Sequence, residues 1–254
     1  MNNERPLILV TNDDGVNAEG LEELADAMRP FGDVVVIAPE WPMSGMSGAI
    51  TFDKPLRISL LKNETGFSVY KCSGTPVDCV KMAFNHLLDK RPDFVVSGIN
   101  HGSNTSMSVV YSGTVGAAIE GAIHGVPSIA FSLCDYEKDA DFGRAKIWVA
   151  RIFQTVIETG LMPFTCLNVN IPSGEIKGIN VCRQTIGKWV EELEHRTDPR
   201  FNDYYWLAGR FHNFEPSVEN TDIFAIEKQN VAIVPIKVDM TCYDTLQQMQ
   251  NWKF

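Results

Sequence analysis

The chain has 254 residues, of which 44% are hydrophobic and 21% charged, a composition typical of a globular protein and not of a disordered one. Its 32 acidic side chains outnumber its 22 Lys and Arg side chains, giving a net charge of −10, and no basic run follows a nucleic-acid backbone. Polymeric DNA or RNA is therefore not expected as a main partner. The six cysteines form no C-x-x-C pair, and no segment reaches membrane-spanning length. We expect a cytoplasmic protein with reduced thiols, neither membrane-bound nor disulfide-linked.

Strands and helices alternate over the first 160 residues. Short aliphatic runs predict strands at residues 6–11, 34–38, 93–100 and 127–133. Helical spacing or a helix-start motif predicts helices at residues 21–28, 75–88 and 139–158 and after Ser112-Gly113-Thr114. Such alternation is typical of an α/β fold with a doubly wound, mostly parallel sheet.

Two further stretches differ from this alternation. Apolar residues at even positions predict β structure over residues 50–72. Beyond Pro163, strands are predicted at residues 166–171, 179–184 and 231–238 and a short helix at 243–252. Between them, residues 187–210 have the composition of a long polar loop, whose aromatic side chains would cover either a partner surface or a base-binding pocket.

Two adjacent carboxylates follow the first predicted strand. Asp13 and Asp14 lie in the turn sequence Asn-Asp-Asp-Gly, where the aliphatic run ends. In open α/β sheets, ligands bind at the edge where the carboxyl ends of the strands meet. The loops after Thr11, Ala38 and Ser97 should therefore share one site.

The polar side chains of these three loops are oxygen donors. They are Asp13, Asp14, Ser44, Ser47, Asn100, Asn104, Ser112 and Thr114. Oxygen ligands suit Mg²⁺, Mn²⁺ or Ca²⁺ and not zinc, and Mg²⁺ takes only one or two carboxylates, leaving room for a substrate phosphate. The pattern favours metal-assisted phosphoryl transfer to water, with Asp13 and Asp14 as the catalytic carboxylates, one holding the metal and the other also positioning or deprotonating the attacking water.

Two other functions fit the same residues. Asp13 or Asp14 could form a covalent aspartyl-phosphate, which trapping of a phosphoenzyme would reveal. Alternatively, the loops form a nucleotide-sensing module that binds without hydrolysis. The sensing module is the weaker hypothesis, because adjacent carboxylates repel phosphate unless a metal lies between them.

Five motifs together resemble the SurE family of survival-protein nucleotidases. They are ILVTNDDG at residues 8–15, APEWPMSGMSGAIT at 38–51, CSGTPVDCV at 72–80, VVSGINHG at 95–102 and YSGTVGAAIEGA at 111–122. Residues 196–209 resemble the C-terminal region of the family. The resemblance implies a metal-dependent phosphatase of nucleoside monophosphates, 5′ and often 3′, sometimes with polyphosphatase activity.

The resemblance also implies a fold and an assembly. The fold is a single Rossmann-like domain over residues 1–254, with a catalytic core at 1–160 and an extended C-terminal portion at 161–254. That portion completes the sheet and is exchanged between the subunits of a homodimer or homotetramer. One divalent ion per subunit, Mg²⁺ or Mn²⁺, is expected.

The site residues of the family are carried over position by position. The metal ligands correspond to Asp13, Asp14, Ser44 and Asn100. The phosphate-binding residues correspond to Ser112, Gly113 and Thr114, with Asn104 lining the site. The chain departs from the family at Met43, where many relatives carry arginine, and at residues 103–108, where Gly-Asn-Gly-x-Asp is usual. The resemblance therefore defines the reaction type more closely than it defines the substrate preference.

Overall fold

A computed structural model describes residues 5–253, and a nine-stranded sheet forms its centre. The strand order is β3-β4-β2-β1-β5-β6-β7-β13-β8. Neighbouring strands are parallel except for the β3–β4 and β7–β13 pairs. The predicted α/β class with a doubly wound, mostly parallel sheet is confirmed.

The strands of this sheet have the following bounds. They are β1 (Leu7–Thr11), β2 (Asp33–Pro39), β3 (Ile58–Glu64), β4 (Phe67–Cys72), β5 (Phe94–His101), β6 (Ser128–Cys134), β7 (Thr165–Pro172), β8 (Gly178–Val181) and β13 (Asn230–Lys237). The central strands read as continuous aliphatic runs because helices cover both of their faces.

Helices form a layer on each face. On one face α1 (Glu19–Met28) packs against α4 (Phe142–Thr159), and on the other α2 (Pro76–Met82) packs against α3 (Gly113–Ile123). The alternating side chains of β1 divide between the two apolar cores, with Ile8 and Val10 facing the first and Leu9 the second. Two short helices, α5 (Asp222–Glu227) and α6 (Tyr243–Met249), lie near the C-terminus.

Residues 50–57 are not a strand, so the prediction of β structure there was wrong. Ile50 and Phe52 are 51% and 89% exposed, and the strand begins only at Ile58. Pro55 interrupts the segment, and the backbone N–H of Thr51 donates to the Asp78 carboxylate instead of to a neighbouring strand. The prediction is confirmed for residues 58–64 and 67–72, whereas the even spacing of apolar residues at 50–56 does not correspond to a strand.

Residues 187–210 are also not a loop. They contain β9 (Gly187–Val190), β10 (Leu193–Thr197), β11 (Asp203–Leu207) and the start of β12 (Arg210–Asn213). β9 pairs with β12 and β10 with β11, both antiparallel, so residues 187–213 form a double-stranded arm. Every residue of β10 and β11 is exposed, so neither strand has the buried face on which a sequence pattern depends. Helix α5 was likewise not predicted.

All six cysteines lie in the described part of the chain, and all six are free thiols there. Burial raises the pKa of Cys134 and of Cys166 to about 12, which keeps both protonated and unreactive. Between residues 5 and 253, no helix combines the length and the apolar character needed to cross a membrane.

Candidate active site

The topology creates a crevice between β1 and β5. The chain winds from β1 outward through β2 to β4 and then crosses to β5 on the other side of β1, so the strand order reverses at this point. Thr11 at the end of β1 lies beside Ser97 of β5 in register. The loops after β1, β2 and β5 therefore open at one edge, where ligands bind in such sheets.

Asp13 is held in a closed turn at this crevice. The Asn12 side chain accepts from the Gly15 N–H at 3.2 Å and donates to the Gly15 carbonyl at 3.1 Å. Gly15 has φ +100°, a conformation that glycine adopts without strain. The backbone carbonyl of Asp13 accepts from the Met43 N–H at 2.7 Å, which ties this turn to the loop after β2.

The Asp13 carboxylate is buried and the Asp14 carboxylate is half-buried, and neither has an ion-pair partner among the described residues. Asp13 is 3% exposed, and neither Asp13 nor Asp14 forms a salt bridge within the described part of the chain. Burial raises the pKa of Asp13 to about 6, opposed by the Thr114 hydroxyl and reinforced by the charge of Asp14. Burial also raises the pKa of Asp14, opposed by the His101 backbone N–H, which donates to Oδ2 at 3.1 Å. Two such groups side by side form a strong attractor for a cation.

A bulge at the end of β5 presents Asn100. The register with β6 shifts between Ser97 and Asn100, and Gly98 there has φ +127°. A Cβ on Gly98 would lie 2.3 Å from the Phe131 carbonyl oxygen, so only glycine fits. The Asn100 amide donates to the Gly102 carbonyl at 2.7 Å, which orients its oxygen towards Thr114 at 3.2 Å.

The N-terminus of α3 closes the crevice. The Ser112 hydroxyl caps the helix by accepting from the Val115 N–H at 3.1 Å. A Cβ on Gly113 would lie 2.9 Å from the Asp13 Cβ, so the missing side chain allows the helix terminus to approach the carboxylate. The Thr114 hydroxyl donates to Asp13 Oδ1. Asp13, Asp14, Asn100, Gly113 and Thr114 thus lie together.

Ser44 lies between two anchored points of the loop after β2. The Met43 N–H is bound by Asp13, while the Ser47 N–H and hydroxyl donate to the carbonyls of Tyr111 and Val110 at 3.0 and 2.6 Å. Ser44 is exposed, and its hydroxyl has no hydrogen bond within residues 5–253. It is free to bind a ligand, whereas the hydroxyl of Ser47 is already used in holding the loop.

Asn104 occupies a different position from the other predicted residues. It is 7% exposed, and its side-chain amide donates to the Ser132 hydroxyl at 2.9 Å. Its backbone N–H donates to Asn170, and its carbonyl accepts from Asn168, at 2.8 Å each. Sequence reasoning missed Ser132, Asn168 and Asn170. Their one signal was the occurrence of polar residues inside strands that are otherwise aliphatic.

The donor set fits a hard divalent ion. Within the described residues, no three His, Cys, Asp or Glu side chains come together, so a nitrogen- or sulfur-based zinc centre is not formed. The crevice offers two carboxylates and the amide oxygen of Asn100, and Ser44 follows Met43, whose N–H donates to the Asp13 carbonyl. His101 donates its backbone N–H to Asp14, and the charge of its ring also lowers the pKa of that carboxyl, while the ring contacts the Glu137 carbonyl at 2.9 Å.

The chain is similar to known proteins in both sequence and structure. A family described as "Survival protein SurE" matches residues 8–191. A protein named 5′-nucleotidase SurE from Bacteroides fragilis is 49% identical and covers 100% of both chains. Another from Phocaeicola vulgatus is 46% identical over 99% of this chain and 98% of its own length. The crystal structure of SurE protein from Aquifex aeolicus has a TM-score of 0.83 at 36% identity, over 96% of this chain and 98% of that one.

Proposed function

Because the chain belongs to the SurE family, we infer that it is a 5′-nucleotidase, a hydrolase that releases phosphate from nucleoside monophosphates. The family resemblance of the five motifs is confirmed by full-length relatives that carry this name. The observation that supports the chemistry is the pair of adjacent carboxylates, Asp13 buried and Asp14 half-buried, next to the N-terminus of a helix.

Asp13, Asp14, Ser44 and Asn100 would hold one divalent ion per subunit. Two carboxylates and two neutral oxygens match the preference of Mg²⁺ or Mn²⁺. The raised pKa of Asp13, about 6, supports this assignment because a cation offsets the cost of burying its charge. When bound, the ion supplies positive charge that lets a phosphate approach the carboxylates and polarises the phosphoryl group.

Ser112, Gly113, Thr114 and Asn104 would bind the phosphate. Helix α3 has 11 residues, and its N-terminus approaches the Asp13 carboxylate at Gly113. The positive end of the helix dipole favours an anion at this position. Asn104 is included because of the family resemblance; it lies in the loop after β5, and its side-chain amide is held by Ser132.

Asp14 is the better placed of the two carboxylates to accept a proton. It is half-buried, and only its Oδ2 is bound by the protein, whereas Asp13 is nearly inaccessible. In the proposed reaction, a water oxygen forms the new bond to phosphorus as the ester P–O bond breaks. Asp14 takes the proton from that water, and solvent protonates the leaving nucleoside oxygen.

A cavity of about 520 Å³ beside α3 provides room for the nucleoside. It is bounded by Ser47 and Ser112 at the crevice and by Met107, Val110 and Ile119 further out. Apolar walls with a polar entrance suit a base and its ribose. We assign the nucleoside to this cavity and leave 3′-nucleotides and short polyphosphate as further substrates of the same phosphate site.

The proposal also covers the oligomeric state and the cellular location of the protein. Residues 161–254 would form the oligomerisation portion of a homodimer or homotetramer, distinct from the catalytic core at 1–160. The exposed strands β10 and β11 and the helix α6, in which no residue is buried, support this assignment. Six free thiols favour the reducing cytoplasm.

Separate substitutions should distinguish metal ligands from phosphate ligands. We expect Asn100→Ala to raise the dissociation constant for Mn²⁺ about tenfold or more, because an inner ligand and its hydrogen bond are lost. Asn104→Ala should leave Mn²⁺ affinity within about twofold and lower the rate of phosphate release. Isothermal titration calorimetry and a phosphate assay provide both readouts. Equal effects of the two variants on Mn²⁺ affinity would contradict the assignment.

Helix α3 packs closely against the loop after β2, which carries the proposed metal ligand Ser44. A Cβ on Gly116 would lie 2.4 Å from the Ser47 carbonyl oxygen, so Gly116→Ala should displace the loop that carries Ser44. We expect Mn²⁺ affinity to fall about tenfold, as when a supporting contact of a ligand is removed. The control is Gly143→Ala in α4, where the nearest atom to a Cβ is 3.5 Å away. Unchanged affinity in Gly116→Ala would show that Ser44 is not a ligand.

A further inference from the structure

Asp222 is a fully buried carboxylate far from the crevice in sequence. It is 0% exposed and is the first residue of α5, in the C-terminal part of the chain. No Lys, Arg or His forms an ion pair with it within residues 5–253. Its charge is instead balanced by hydrogen bonds and, at longer range, by the guanidinium charge of Arg183.

The two oxygens of Asp222 bind different parts of the molecule. Oδ1 accepts from the N–H and the hydroxyl of Thr185, at 2.9 and 2.7 Å, and from the N–H of Ile223 at 2.8 Å. Oδ2 accepts from the backbone N–H of Ser106 at 2.7 Å. The carboxylate thus joins the C-terminal segment to the loop that follows Asn100.

The N–H, the hydroxyl and the carbonyl of Ser106 all form hydrogen bonds at this contact. It has φ +54°, an uncommon conformation for serine. Its hydroxyl donates to the Thr185 carbonyl at 2.7 Å, and its own carbonyl accepts from Gln184 at 2.8 Å. These contacts fix the loop two residues after Asn104, whose backbone is held in turn by Asn168 and Asn170.

From these contacts we propose that Asp222 is a positioning residue for the nucleotidase reaction: it holds Ser106 and thereby sets the position of Asn104 at the phosphate. The proposal rests on the proposed role of Asn104 in the crevice. It also gives the C-terminal segment around Thr185 and Asp222 a part in the active site, separate from any part in assembly. Asp222 itself does not touch the substrate.

Asp222→Asn tests the proposal with little change in volume. The asparagine oxygen can keep the three donors at Oδ1, but its NH₂ group then faces the Ser106 N–H, donor against donor. We expect kcat to fall about 10- to 100-fold, as for a displacement of about 1 Å at a reacting centre. The Mn²⁺ dissociation constant should stay within about threefold, because Asp13, Asp14, Ser44 and Asn100 are untouched. KM should change less than kcat, because only one of the proposed phosphate contacts is displaced.

The control is Asp139→Asn, an exposed aspartate with no hydrogen bond or ion pair in the described structure. Its kcat should equal that of wild type. Melting temperatures of all variants are recorded, and kinetics are measured well below the lowest of them. A wild-type enzyme without phosphatase activity would refute the proposed function itself, whereas an active wild type with an unimpaired Asp222→Asn variant would refute only this inference.

Thr185→Val provides a milder variant should Asp222→Asn fail to fold. It removes one donor to Oδ1 at nearly constant shape, and kcat should fall by about 3- to 10-fold with KM retained. A kcat within twofold of wild type in folded Asp222→Asn, or in Thr185→Val if only that variant folds, would overturn the proposal. So would a loss that appears entirely in KM.

Discussion

Replacing Asp13 with asparagine should lower metal-dependent phosphate release on the order of 10³-fold without lowering the stability of the fold. The substitution removes one of two carboxylates proposed to hold the ion, while the asparagine oxygen can still accept from the Thr114 hydroxyl. Calorimetry should show Mn²⁺ affinity falling in parallel. Phosphate release is measured with saturating nucleoside 5′-monophosphate and divalent ion.

The stability of the metal-free protein should change in a pH-dependent way. The pKa of Asp13 is raised from 3.8 to about 6, so the folded state binds this proton more tightly than the unfolded state. The ionised carboxylate therefore destabilises the fold. The cost is absent below pH 3.8, grows as the pH rises to about 6, and is then constant at about 3 kcal/mol. Asp13→Asn should melt at a higher temperature than wild type at pH 8, and the difference should shrink towards pH 4.

Asp139→Asn is the matched control for this prediction, because the same charge is removed from an exposed site. It should change neither phosphate release nor the pH dependence of melting. Retained activity in Asp13→Asn would place the reaction elsewhere. A large fall in its melting temperature would instead mean that the charge of Asp13 stabilises the fold.

Gly98→Ala should have the largest effect on the fold. The added Cβ would lie 2.3 Å from the Phe131 carbonyl oxygen, and φ at this position is +127°. Neither β5 nor β6 can give way in the middle of a sheet, so we expect the free energy of unfolding to fall by about 3 kcal/mol or more. Because the bulge places Asn100, phosphate release should be lost at temperatures where the variant is still folded.

Gly45→Ala distinguishes the cost of backbone strain from the cost of a steric clash. Gly45 has φ +76°, but no atom lies within 4 Å of a Cβ built there. It should cost only about 1 to 2 kcal/mol, the price of a left-handed conformation. Urea unfolding compares the two variants. Equal losses of stability would show that backbone strain, and not the contact with Phe131, makes glycine necessary at residue 98.

The core of the fold was predictable because its strands and helices have strong local signals. β1, β2, β5 and β6 are aliphatic runs ended by small or polar residues, and α2 begins with the capping box of Thr75 and Asp78. The arm of residues 187–213 was not predictable in this way. Its strands have no buried face within the chain, so apolar and polar residues need not alternate.

The part of the site that was predictable from the sequence follows from the rule that ligands bind at the carboxyl edge of a parallel sheet. The carboxyl ends of β1, β2 and β5 share an edge, and that rule predicted one site for the loops that carry Asp13, Asp14, Ser44 and Asn100. The selection of these four residues as metal ligands came from the family resemblance. The rule could not identify Asp222, which binds Ser106 across 116 residues of sequence. Nor could it show that the hydroxyl of Ser47 is used by Val110 while that of Ser44 is free.

The most direct measurement is phosphate release from nucleoside 5′- and 3′-monophosphates after treatment with a chelator and re-addition of single divalent ions. We expect no release from the metal-free protein and recovery with Mg²⁺ or Mn²⁺, greatest for 5′-nucleotides. Water labelled with ¹⁸O should place its oxygen directly in the phosphate, without a trapped phosphoenzyme. Undiminished release after chelation, or silence with every ion and substrate, would contradict an oxygen-ligated metal site at Asp13 and Asp14.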